Sequence, residues 1–107
     1  MTTALTLSTD RQDDGTTRLT AIGEIDLSNN ETFTKALADA TGDGTTTVVD
    51  LRDVTYLDSG AVTALFLYAD HIHVVVNADL KPVLDISGLT QLVKVDVAQP
   101  SERAAEE

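Results

Sequence analysis

A chain of 107 residues with 42% hydrophobic and 23% charged content has the size and makeup of one compact domain, and two Phe, two Tyr and no Trp leave its core to Leu, Val, Ile and Ala. Eighteen acidic against seven basic residues give a net charge of −11, which repels nucleic acid and anionic membranes as partners and attracts a basic protein surface. The absence of cysteine excludes disulfides and thiolate metal sites; with no basic leader at Met1-Thr2-Thr3 and no apolar run near the roughly 20 residues of a membrane span, the expected location is the cytoplasm.

Leu5 and Leu7 alternate with Thr6 and Ser8, and Leu19 and Ile22 follow the turn residues Asp13-Asp14-Gly15, so the first 23 residues read as a β-hairpin that Gly23 ends. Ser28 and Glu31 have the spacing of a capping box, and Phe33, Ala36, Leu37 and Ala40 follow at helical intervals, predicting a first helix that stops near Gly42. Thr45 to Leu51 reads as a buried, central strand bounded by Gly44 and Arg52-Asp53. After Asp58-Ser59-Gly60, the residues Val62, Leu65, Phe66 and Ala69 fall on one face of a second helix.

Ile72 to Val76 predicts a further strand, and Leu80, Val83 and Leu84 a short third helix with Pro82 in its first turn and Gly88 as its stop. Leu92 to Val97 is the last expected strand. One domain over residues 1–98 is followed by an acidic tail over 99–107 that lacks an apolar face and reads as a frayed helix or disorder. The order β-β-α-β-α-β-α-β predicts an α/β fold: a mixed four- to five-stranded sheet flanked by helices, with an antiparallel opening hairpin and right-handed parallel crossovers.

The chemistry concentrates at Tyr56-Leu57-Asp58-Ser59-Gly60, where a strand gives way to a helix. The first N–H groups of that helix lack intrahelical partners and carry the positive end of its dipole, so a phosphoryl group on Ser59 is tolerated there. On local chemistry alone Ser59 also reads as a helix N-cap, and Asp58 as an acid that favours the helix dipole or orients the serine hydroxyl. His71 and His73 alternate across a strand start, which disfavours joint chelation; no metal or cofactor site is expected.

Gly23-Glu24-Ile25-Asp26, Val48-Val49-Asp50-Leu51 through Tyr56-Leu57-Asp58-Ser59-Gly60, and Ile86-Ser87-Gly88-Leu89, in that order, resemble the STAS domain of anti-sigma factor antagonists, with the resemblance covering roughly residues 4 to 97. It implies a non-enzymatic switch, in which the unphosphorylated protein binds an anti-sigma factor and releases a sigma factor. It implies further that Ser59 is phosphorylated by that anti-sigma factor, a protein with a kinase-type ATP-binding fold, and dephosphorylated by a phosphatase. The partner-binding candidates are Glu24, Asp26, Asp58, Ser59, Gly60 and Thr63. Where the family pattern continues after the acceptor with a second Ser or Thr, then Gly and Leu, this chain has Gly60, Ala61 and Val62, so that the glycine is displaced by one and frees the backbone beside the acceptor.

Three rivals are weighed against this. A docking subunit of a transporter or stress-signalling assembly keeps the domain and leaves Ser59 unmodified. A receiver domain needs an acidic pair at the end of the first strand, which is absent. A serine hydrolase needs the G-x-S-x-G elbow and a histidine base, and the chain supplies neither at Ser59.

Overall fold

The computed structural model describes residues 5–101. Five strands and three helices alternate along the chain: β1 (Leu5–Arg11), β2 (Thr17–Ile25), α1 (Asn30–Thr41), β3 (Thr47–Leu57), α2 (Ser59–Leu67), β4 (Ile72–Val76), α3 (Lys81–Ser87) and β5 (Val95–Val97). Single 3-10 turns at Ala69–His71 and Leu89–Gln91 lead into β4 and follow α3. The strands lie in the sheet in their sequence order, β1 antiparallel to β2 and every later neighbour parallel, which is the mixed sheet that the pattern predicts, with β3 at its centre.

One side of the sheet carries the core. Leu19, Ala21 and Ile25 of β2, Val49 and Leu51 of β3, and Val74 and Val76 of β4 pack with Phe33 and Leu37 of α1, Ala61, Ala64 and Leu65 of α2, and Leu84 of α3. Residues of alternate parity, among them Arg18, Thr20, Val48 and His73, take the opposite side and are half-buried or exposed, as the two-residue period of a strand requires. Asp50 shares their side of β3 and is nevertheless buried, because the guanidinium groups of Arg18 and Arg52 both hold its carboxylate.

Several boundaries differ from the sequence pattern. Gly23 does not end β2; the strand runs on to Ile25, and Gly23, at φ 118°, lies where the β2–β3 register shifts. The third strand does not stop at Leu51 but continues through Arg52-Asp53 to Leu57, because β2 continues beside it and supplies a partner. The capping box does not form: α1 begins at Asn30, and the Ser28 hydroxyl donates instead to Asp26 Oδ1 (2.6 Å) in a turn. In α2 the innermost residues are Ala61, Ala64 and Leu65, with Val62 and Phe66 flanking them, and the helix ends at Leu67, before Ala69. The last strand is only Val95–Val97, Leu92 being 62% exposed. Pro82 in the first turn of α3 and the left-handed Gly88 at its end stand as the pattern predicts. Of the acidic tail expected over 99–107, residues 99–101 carry no helix or strand and the rest lies outside the described residues.

Candidate functional site

The β2 and β3 strands end together, Ile25 paired with Leu57, and the Asp58 N–H donates to Ile25 O (2.9 Å). The chain then leaves β2 by a turn that Asp26 organises: its carboxylate Oδ1 accepts from the Ser28 N–H and hydroxyl, and its carbonyl accepts from the N–H groups of Asn29 and Asn30. Asn29 closes the same turn from the other side, accepting from the Asp26 N–H (2.9 Å) and donating to Glu24 O (2.9 Å). The turn thus fixes where α1 begins and what its first side chain faces.

That first side chain is Asn30, and it faces the start of α2. Asp58 is the N-cap of α2: in extended conformation, it accepts the Ala61 N–H at Oδ1 (2.8 Å), the side-chain cap that a helix start favours. Its second oxygen, Oδ2, accepts the Asn30 amide (3.0 Å). Both carboxylate oxygens are therefore engaged, and Asp58 caps α2 and anchors Asn30. Ser59 is the first helical residue and is exposed, and the N-cap role that local chemistry offered it belongs to Asp58.

The other candidate residues divide by what holds them. Glu24 is exposed, beside Tyr56 in the β2–β3 register. Asp26 is half-buried with its carboxylate in the turn. Thr63 is exposed one turn beyond Ser59, and its hydroxyl donates to Ser59 O (2.8 Å). Gly60 is half-buried under Asn30, and its place reflects packing more than a need for backbone freedom, since its φ is not positive. The sequence reading missed two apolar residues on this edge: Leu27, 87% exposed in the Asp26 turn, and Tyr56, 50% exposed two residues before Asp58. The one signal for Leu27 is an apolar residue inside a polar loop.

Among the described residues, the other candidate features lie away from this junction. A cavity of about 400 Å3 lies between the free edge of β3 and the segment around Pro100, lined by Arg52, Asp53, Thr55, Asn77 and Asp79, and shares no residue with the Ser59 junction. His71 closes a 3-10 turn and His73 lies in β4, both exposed, and among the described residues no three metal-ligating side chains cluster. Among the described residues no helix is long and apolar enough to cross a membrane.

Residues 8–94 match the family model described as "Mlab, STAS domain". Among solved structures, the chain is similar to an anti-sigma factor antagonist from Mycobacterium paratuberculosis, at a TM-score of 0.79 and 20% identity over 96% of this chain and 92% of that one. It is similar also to the anti-sigma factor antagonist SpoIIAA in its unphosphorylated form (TM-score 0.65, 18% identity, 96% and 93% of the two chains). The Bacillus cell fate determinant SpoIIAA in its phosphorylated form gives a TM-score of 0.63 at 16% identity over 94% and 96%. At these identities the likeness is one of fold. No curated protein matches the chain in sequence.

Proposed function

Because the chain belongs to the STAS domain family, we propose that it is an anti-sigma factor antagonist: unmodified, it binds an anti-sigma factor and so releases a sigma factor, and phosphorylation of Ser59 switches that binding off. One observation carries the reading: Ser59 stands exposed as the first residue of α2, directly after an acid that is already committed to capping the helix. The likeness in fold to a protein described in both unphosphorylated and phosphorylated forms supports it.

The partner is an anti-sigma factor with a kinase-type ATP-binding fold. The Ser59 oxygen bonds to the γ-phosphorus of ATP, ADP leaves with the electrons of the broken P–O bond, and the hydroxyl proton passes to a base on the kinase. A phosphatase restores the hydroxyl. Phosphoserine carries about −1.5 to −2 charges at pH 7, and beside Asp58, on a chain of net charge −11, burying it in an interface is costly unless a partner cation meets it. Glu24, Leu27, Tyr56, Ser59 and Thr63 form the exposed edge that the partner covers, apolar contact coming from Leu27 and Tyr56.

The test is to retain the partner from a native lysate on the immobilised protein, identify it, and incubate it with ATP. One phosphate on the wild type and none on Ser59→Ala is the expected result, with Ser59→Ala keeping its calorimetric affinity and Ser59→Glu losing it. Equal affinity of Ser59→Glu and the wild type overturns the switch. A retained transport ATPase or large scaffold, with Ser59 unmodified, establishes the docking-subunit reading instead.

A further inference from the structure

A side chain at position 60 would have to displace the Asn30 side chain. The φ of Gly60 is not positive, so a side chain would meet no backbone strain there; a Cβ on it would lie 2.4 Å from the Asn30 amide nitrogen and 3.0 Å from Asn30 Cγ. The same amide donates to Asp58 Oδ2 (3.0 Å), while Asp58 Oδ1 takes the Ala61 N–H (2.8 Å). One side chain at the start of α1 therefore grips the acid that precedes Ser59 and occupies the space that a side chain following Ser59 would need. Asn30 and Asp58 are 28 residues apart in sequence, and both are half-buried, so their hydrogen bond is sheltered from competing water.

We propose that Asn30 is a positioning residue for the Ser59 switch. By holding the Asp58 carboxylate over the Ala61 N–H and excluding any side chain at position 60, it fixes the first turn of α2 so that Ser59 presents the one hydroxyl between Asp58 and Thr63, turned outward for a kinase to take. This rests on the reading of Ser59 as a phosphoacceptor. Without the amide, Asp58 Oδ2 loses its partner, the carboxylate can leave the Ala61 N–H, and the turn that carries Ser59 frays. Residues 30 and 60 consequently behave as one unit. Glycine at 60 is required only while asparagine stands at 30, and alanine becomes acceptable at 60 once Asn30 is shortened, because alanine is the better helix former.

The experiment compares the wild type, Asn30→Ala, Gly60→Ala, the double variant and Asn30→Asp, which keeps the size of the side chain and removes its N–H donors. In thermal unfolding, Gly60→Ala is expected to lower Tm by about 5 °C in the Asn30 background and to leave it unchanged or raised in the Asn30→Ala background. Amide exchange supplies the readout that a general loss of stability would not move. Both Asn30→Ala and Asn30→Asp are expected to speed exchange at Ala61 by about tenfold relative to the wild type, while Gly88→Ala, which destabilises the domain away from α2, leaves exchange at Ala61 unchanged. With the partner identified above and ATP, both are expected to lower kcat/KM for phosphate uptake at Ser59 while the unmodified protein keeps its partner affinity.

Additive effects of the two substitutions on Tm, or unchanged exchange at Ala61, overturn the proposal. So does an Asn30→Ala protein phosphorylated with the wild-type kcat/KM. A wild type that takes up no phosphate overturns the switch itself, an outcome distinct from the others because it is read on the unaltered protein.

Discussion

The Asn77 side chain stands in for a missing strand beside Val54. β4 ends at Val76, paired with Leu51, and beyond that point the carbonyls of Arg52 and Val54 on the same edge of β3 would have no strand to bond. Asn77 Nδ2 donates to both, at 3.1 and 2.8 Å, while its Oδ1 accepts the Leu80 N–H (3.0 Å) just before α3. A nearly buried amide thus completes the hydrogen bonding of the longest strand and starts the next helix.

Asn77→Ala is expected to destabilise the domain by about 2–3 kcal/mol, since it leaves buried backbone groups unpaired and not only one contact fewer. Asn77→Asp is expected to recover little of it, because a carboxylate keeps an acceptor for the Leu80 N–H but offers the two carbonyls no donor. Urea unfolding of both variants checks this; exposed Asp79→Ala is the control and is expected to stay within about 0.5 kcal/mol of the wild type.

Asp50 gives the domain an acid-sensitive element. Burial pushes its carboxyl up, but the Arg52 backbone N–H and the Arg18 and Arg52 guanidinium groups hydrogen-bond to the charged form and together outweigh burial, leaving it below the ordinary 3.8. The unfolded chain therefore takes up its proton first as pH falls. The stabilisation is complete above the ordinary value and is lost as pH drops through the lower folded one. Asp50→Asn is expected to cost about 1–3 kcal/mol at pH 7. Urea midpoints of the two proteins should converge as pH falls below the ordinary value, and a gap that stays constant into strong acid would show that the ionised carboxylate is not what Asp50 contributes.

How much of this was legible in the chain depends on how local each cause is. Val48, Val49 and Leu51 announced a buried strand, and Pro82 and Gly88 bracketed α3, because backbone propensity and burial act within a few residues. The second half of β3 was not legible: Arg52-Asp53 is polar enough to read as a strand end, and the neighbouring β2 and the Asn77 side chain, both remote in sequence, bond to that stretch. At the junction the residues Asp58 and Ser59 were readable, but their division of labour was not. Capping by Asp58 depends on Asn30, which is remote in sequence, and Ser28, although correctly spaced for a capping box, is drawn away by Asp26. The acidic residues expected to form a contact surface separate for the same reason, Asp26 being consumed by its own turn while Glu24 remains exposed.

Gly88 is the conformational counterpart of Gly60. Its φ is 90°, it closes α3 by donating its N–H back toward Asp85 and Leu84, and a Cβ there would meet nothing within 4 Å. Strain alone decides the outcome. Gly88→Ala is expected to cost about 1 kcal/mol and Gly88→Asn less, because asparagine visits the left-handed region more readily. Thermal unfolding of the pair checks the order; equal losses would point to packing instead.

The last prediction separates stability from signalling within one dipeptide. Asp58 supplies the cap of α2 and holds Asn30, whereas Ser59 is exposed and its hydroxyl is not the cap. Asp58→Ala is therefore expected to destabilise the domain by about 1–2 kcal/mol, and Ser59→Ala to stay within about 0.5 kcal/mol of the wild type. Asp58→Asn keeps an oxygen for the Ala61 N–H but turns an N–H donor toward either that amide or Asn30, so it should fall between the two. Denaturant unfolding of the three variants measures the order directly. Should Ser59→Ala prove as costly as Asp58→Ala, the serine hydroxyl would have a structural duty, and a loss of partner binding in Ser59 variants would no longer report on the switch.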